Sequence, residues 1–465
     1  MPRTAFRVVM LGVIFAGSRP LAAGDNWPQW RGPAQNGVSD STGLPLAWGP
    51  DQNIVWKTEL PSWSGGTPII WGDRIFLTSP AQPDPEELKK FAEDQARQRE
   101  EGQGRRGRGR MGGGLHPGGQ ELLLLCLDRR SGAMLWERAL DTGNEVHMKA
   151  NNSSPSPVTD GEHVWVVTGN GVVTAFDMEG GQIWQKNLQA MYGAFGLNWG
   201  YASSPLLHDG KLIIEVLHGF RTDDPSYVVA FDAPTGEVLW KVERPTDAPR
   251  EAPDAYTTPI VVEKDGRAQI VISGADYVTG HDPETGRELW RVGGLNPQKR
   301  PNYRIVASPV FAGGMVYAPT RNRPLLAIDL SGPEAPDDDA VAWKWDDNGS
   351  PDVPTPACDG ERFYMVDDKG VATCLDARTG QVIWGPQRTV QGTVSGSPLL
   401  ADGRLYFTNE EAVTVVLSAG PTFEILATNQ LDGTYTLSSP VPSGRHLFIR
   451  TGQHLYCIGA TPPEQ

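Results

Sequence analysis

A Ser-Pro or Thr-Pro pair recurs eight times along this chain: Thr67-Pro68, Ser156-Pro157, Ser204-Pro205, Thr258-Pro259, Ser308-Pro309, Thr355-Pro356, Ser397-Pro398 and Ser439-Pro440. Each pair opens a strand-rich module. Six modules then carry an Asp that leads a tight turn, usually followed by a Trp: CLDRRSGAMLW, AFDMEGGQIW, AFDAPTGEVLW, GHDPETGRELW, AIDLSG and CLDARTGQVIW. Self-similarity at a period of roughly 50 residues marks an array of stacked supersecondary units. Such a scaffold places its function in its loops, so fold and function have to be argued separately.

After each Pro comes a short apolar stretch, a turn (Asp160-Gly161, Asp209-Gly210, Asp265-Gly266, Asp359-Gly360, Asp402-Gly403) and an alternating run such as HVWVVTG or RLYFTN. Alternation with period two marks strands, and Asp-Gly between two of them is a hairpin signal. A third strand ends in Cys/Ala-x-Asp. In the D-x-x-T-G turn that follows, the carboxylate accepts local N–H groups while Gly supplies the left-handed position. A fourth strand carries Trp136, Trp184, Trp240, Trp290 or Trp384, a ring large enough to fill the space between neighbouring sheets. Pro at the head of strand one is tolerated because that N–H need not join a ladder. Four strands per module and eight modules predict an all-β, eight-bladed propeller of antiparallel blades.

The last module ends at HLYCIG without a Trp strand, whereas NIVWKTEL (Asn53 to Leu60) matches the fourth strands elsewhere. The N-terminal strand is therefore expected to complete blade eight and leave no open edge. The domain reading is a signal peptide over 1–23, an N-terminal cap segment over 24–50 and the propeller over 51–460, with an insertion at 81–120 in blade one. Arg3 and Arg7 ahead of VVMLGVIFAG and Leu21-Ala22-Ala23 have the layout of a cleaved export signal too short to span a bilayer. A periplasmic or secreted protein without a transmembrane segment follows, and a monomer is expected. No Cys closely follows the apolar run, so no lipid anchor is expected.

The insertion begins like a short exposed helix and continues as a Gly/Arg-rich stretch expected to be disordered. Its eight basic and seven acidic side chains nearly balance, which favours a solvated insertion over a nucleic-acid tether. The net charge of −15 likewise argues against nucleic-acid binding. Cys126, Cys374 and Cys457 occupy the repeat position held by Ala175, Ala230 and Ala327, so they read as small core residues. No C-x-x-C or His/Cys cluster points to a metal.

In a four-stranded blade, the loop entering strand one and the loop between strands two and three share one face. That face receives every long, irregular connection here, while the opposite face receives only short turns. Binding is expected on the long-loop face. The candidate ligand residues at the channel rim are Asn151, Asn152, Trp199, Tyr201, Tyr256, Tyr303, Arg304 and Tyr435: aromatic rings, amides and one guanidinium. Asp223, Asp224, Asp247, Glu251 and Asp254 gather oxygen ligands but lack calcium-loop spacing and read as solvated charge. His147, His208 and His218 are scattered, and no nucleophile–base arrangement is visible.

The A-x-D-x-x-T-G-x-x-x-W strings resemble the pyrroloquinoline-quinone (PQQ) repeat family over nearly the whole chain after the export signal. The opening WPQWRGPAQNGVS (Trp27 to Ser39) is similar to that of PQQ-like propellers of planctomycete-type bacteria. The resemblance implies the propeller. It also implies two roles, since the family holds quinoprotein alcohol and glucose-type dehydrogenases as well as BamB, an assembly scaffold without quinone. The dehydrogenases place a ring of adjacent cysteines over the cofactor and hold calcium with Glu, Asn and Asp; here no two cysteines are adjacent. The expectation is a non-catalytic binding or scaffold propeller, without cofactor, for a protein, small-molecule or glycan ligand. The alternative is a PQQ-dependent oxidoreductase using PQQ with calcium.

Overall fold

The computed structural model describes residues 26–100, 115–321, 324–332, 335–347 and 349–459, with the side chains of 98–100 left aside. The expected signal peptide and the Gly/Arg-rich stretch 101–114 lie outside them. Each module folds into one blade. In blade three, Leu206–His208, Lys211–Val216, Tyr227–Asp232 and Val238–Glu243 follow one another outward in a single antiparallel sheet. The second and third strands are buried on both faces because neighbouring blades pack against both sides. Only the outermost strand alternates between wet and dry. Among the described residues there are eight such sheets, seven of four strands and one of five, plus a two-stranded hairpin.

The short turns do what their sequences require. Asp209 and Gly210 both adopt positive φ (46° and 70°), as a two-residue hairpin turn demands. In the wider turns, Asp232 accepts from the Thr235 N–H and hydroxyl, and Asp282 and Asp376 do the same with Thr285 and Thr379. The glycine that follows each Thr also seats the Trp of the preceding blade. A Cβ on Gly286 would stand 2.4 Å from the Trp240 ring. The indole N–H then donates to the carbonyl one residue after the turn Asp: Trp136 to Met178, Trp184 to Ala233, Trp240 to Pro283 and Trp343 to Ala377. Trp290 departs from the series and donates to Gln269 within its own blade. Blade five uses Trp343, which follows an irregular connection and was not visible as part of the repeat.

Ring closure is as read. Ile54–Glu59 pairs antiparallel with His454–Ile458 as the fourth strand of blade eight, and Trp56 donates to Arg129 of blade one. The four cysteines are buried and free, and burial pushes the Cys126, Cys374 and Cys457 thiols up to about 12. The first half of the insertion is a helix, Pro85–Glu100, opened by Asp84 accepting the Glu86 N–H. No helix of the described residues is long and apolar enough to cross a membrane.

Candidate functional site

The Ser/Thr of each Ser/Thr-Pro pair has a reason that its Pro does not reveal. The Thr67 N–H donates to the Ser156 hydroxyl at 2.9 Å, the Ser156 N–H to Ser204 and the Ser204 N–H to Thr258. The relay continues through Ser308, Thr355, Ser397 and Ser439 and returns from the Ser439 N–H to Thr67 at 3.2 Å. Eight blades are thus joined by one closed belt of backbone-to-hydroxyl bonds around the axis. A side-chain oxygen was needed at each position to satisfy a buried N–H.

Below this belt the axis is filled by the protein's own N-terminal segment. Trp27 bridges Ile70 of blade one, the Pro28 carbonyl accepts from Thr159 of blade two, and the Gln35 side chain accepts from Val261 of blade four. Val38–Ser39 then adds a parallel fifth strand to the inner edge of blade seven. Arg31 is buried in the middle, its guanidinium donating at 2.6 Å to the carbonyls of Pro356 and of Pro398. Burial alone lowers its pKa to about 9.

Above the belt lies a cavity of ≈ 460 Å³ with Trp30 at its lower end. Its cover is a hairpin of Val146–His147 and Ala150–Asn151, whose turn residue Met148 takes φ 61°. From this hairpin Lys149 reaches across to blade seven, bonding Glu410 at 2.8 Å and Ser395 at 3.0 Å. The walls include Trp199, Tyr256 and Arg304. The Trp199 indole donates to Glu251 at 2.7 Å and its N–H to the Tyr256 hydroxyl, while Arg304 and Arg321 share Asp352 at 3.2 and 3.5 Å. The Asp352 N–H donates to Asp368, whose carboxyl is pushed up to about 6 by burial and by Asp352.

The structure brings only part of the predicted rim set to this cavity. Trp199, Tyr256 and Arg304 line it. Asn151, in the hairpin's second strand, is buried and donates to the Trp63 carbonyl, and Asn152 ties the hairpin to Gly143 and Asn170. Tyr201 is buried and donates to the Glu215 carbonyl. Tyr435 supports the hairpin from beneath through the Lys149 carbonyl, edge-on to Trp63. Tyr303 lines a neighbouring cleft of ≈ 810 Å³ between the loops of blades five and six. Of the acidic loop residues read as solvated, Glu251 and Asp254 are buried instead. Asp254 accepts the N–H groups of Asn198 and Phe220 and is raised to about 6 by burial. Trp30, Arg31, Lys149 and the belt hydroxyls were missed. The recurrent Ser/Thr was the one available signal among them.

Among the described residues no three His, Cys, Asp or Glu side chains gather closely enough to hold a metal ion. The four cysteines are buried at separate places.

Fold and site together define a closed eight-bladed propeller with a blind axial cavity. A profile of the PQQ-repeat family described as outer membrane protein assembly factor BamB matches residues 120–384 and 333–436, and the protein belongs to that family. It is similar to BamB of Yersinia pestis, with 24% identity over 342 residues covering 70% of this chain and 77% of that one. Among solved structures it resembles BamB from Moraxella catarrhalis (14% identity, TM-score 0.51, 72% of this chain and 91% of that one). It also resembles a quinohemoprotein alcohol dehydrogenase from Comamonas testosteroni (13%, TM-score 0.60, 96% and 82%). At these identities the structural likeness concerns the fold.

Proposed function

We propose that this protein is an exported, non-catalytic propeller that holds part of a partner protein in the axial cavity of its long-loop face. The observation that carries this reading is the blind cavity itself. It is floored by Trp30 of the protein's own N-terminal segment and overlaid by the Lys149 hairpin, whereas the opposite face carries short turns except for the irregular connection from Leu325–Asp329 to Val341–Trp345 in blade five. Membership in a family described as an assembly factor supports a protein partner over a small metabolite or glycan, and supports a periplasmic location. Trp199, Tyr256 and Arg304 contact the partner in this reading, and Asn151, Asn152, Tyr201 and Tyr435 hold the hairpin and wall in place.

The test is capture of partners from a periplasmic extract by the full-length protein. Trp199→Ala with Arg304→Ala should abolish capture, whereas Lys211→Ala with Arg287→Ala on the turn face should not. Capture that survives the first pair and fails with the second would place binding on the other face. The quinone alternative has its own test. Adding PQQ and calcium should give neither a stoichiometric visible band nor a rise in melting temperature; either result would restore the oxidoreductase reading.

A further inference from the structure

The belt hydroxyls have a capacity that the fold leaves unused. A hydroxyl carries one donor and two acceptor positions. Each of the eight accepts one N–H from the preceding blade, and none donates to an acceptor among the described residues. Six of them, Thr67, Ser156, Ser204, Thr258, Ser397 and Ser439, line the axial cavity. Five of these six are no more than 7% exposed, so their O–H groups face little solvent.

Charge points the same way. Lys149 is paired with Glu410, and Arg304 and Arg321 in the wall stand with Glu251, Asp352 and Asp368. Each of those acids already holds an N–H or guanidinium partner. Beneath the belt, Arg31 bonds carbonyls only. Two of them belong to Pro356 and Pro398, the residues directly after belt members Thr355 and Ser397, and its Nε has no partner. A buried cation without a carboxylate, below a circle of unused donors, stabilises negative charge at the base of the cavity. Higher up, Met148, Trp199, Val306, Val353 and Leu437 supply apolar wall.

We infer that the axial cavity binds a carboxylate carried on an apolar body, with the carboxylate seated on the belt hydroxyls above Arg31. Such a group comes either from the C-terminus of a polypeptide or from a small organic acid. The inference rests on the cavity assigned above and names what it recognises. A carboxylate offers about four acceptor positions and thus matches several converging donors at once.

Calorimetry on the full-length protein with three probes tests this: N-acetyl-Leu-Leu-Phe as free acid, the same peptide as its amide, and 3-phenylpropanoate. The free acid or phenylpropanoate should bind, and the amide at least tenfold more weakly than its acid. Tighter binding of the peptide acid assigns a polypeptide terminus, and tighter binding of phenylpropanoate assigns a small acid. Ser156→Ala with Ser204→Ala should weaken the acid about tenfold. Ser156→Thr with Ser204→Thr, which keeps both hydroxyls, should preserve it. Equal affinity for acid and amide, or no binding of either acid at millimolar concentration, overturns the proposal without recourse to any variant. Loss of acid discrimination alongside intact Trp199-dependent capture removes only this inference. Acid discrimination alongside capture that ignores Trp199 removes only the earlier one.

Discussion

The turn aspartates of one face and the buried acids behind the long loops of the other are treated in opposite ways. On the turn face, Asp128, Asp329 and Asp376 sit at the surface and accept hydroxyl and N–H groups of their own turns, which hold them below the usual carboxylate range. Toward the long-loop face, Glu215, Asp254 and Asp368 are withdrawn from water, and burial raises them to about 8, 6 and 6. The first arrangement adds stability, because the charged form is better solvated in the fold than outside it. The second reduces stability at neutral pH. The difference separates a face that holds the blades together from one whose buried acids shape a cavity.

Breaking the structural face should have the largest effect. Deleting residues 26–60 removes the axial segment and the fourth strand of blade eight together. Cooperative thermal unfolding should disappear, and chromatography should show self-association through the exposed edge. A deletion that stays monomeric with an unchanged melting curve would show that closure is dispensable. The turn glycines grade the same contrast within one face. Gly286→Ala combines left-handed backbone with collision against Trp240 and should cost about 3 kcal/mol. Gly210→Ala has the same backbone sign with open space around it and should cost about 1 kcal/mol. Chemical denaturation measures both, and equal losses would mean the Trp seat contributes nothing.

The long-loop side yields smaller, pH-dependent effects. Glu215 is fully buried, with one oxygen accepting from Thr257 and the other unpartnered. Its native carboxyl titrates near 8 rather than 4.5, so the folded protein keeps a proton that the unfolded one releases. Stability from this group is therefore present below about 4.5 and is lost as pH rises toward about 8. Glu215→Gln should match the parent at pH 4.5 and melt a few degrees higher at pH 8; a pH-independent difference would refute the assignment. Smallest is the cover. Lys149→Ala removes a half-buried ion pair and should change stability by about 1 kcal/mol or less. It should also speed amide exchange across 144–152, and unchanged exchange would show the hairpin stands without its far anchor.

The blade count was legible because each blade repeats local chemistry: Asp and Gly in the turns, alternation in the strands, Trp at the outer strand. Even the closing strand carries the repeat, since Val55-Trp56-Lys57 has the pattern of Leu239-Trp240-Lys241. The site was only partly legible. Trp199 and Arg304 stand out as residue types in irregular loops, but burial decides whether such residues face ligand or framework, and Tyr201 and Asn151 went to the framework. Trp30 and Arg31 lie in a segment with no periodicity, whose place on the axis is fixed by bonds to residues up to 367 positions away. The Ser/Thr signal was present eight times, yet its meaning lies between blades, where no local pattern reaches.

Pairing Ile54–Glu59 with His454–Ile458 also sets a timetable. The partner strand lies about 400 residues downstream, and bringing such distant ends together costs about 5 kcal/mol in conformational entropy beyond a fixed term. Synthesis makes the closing strand about 400 residues before its partner, so the ring cannot seal until that partner strand has been made. Until blade eight emerges, the early strand lacks its native partner and the ring stays open. Arrival of His454–Ile458 is the event that ends this unfinished state.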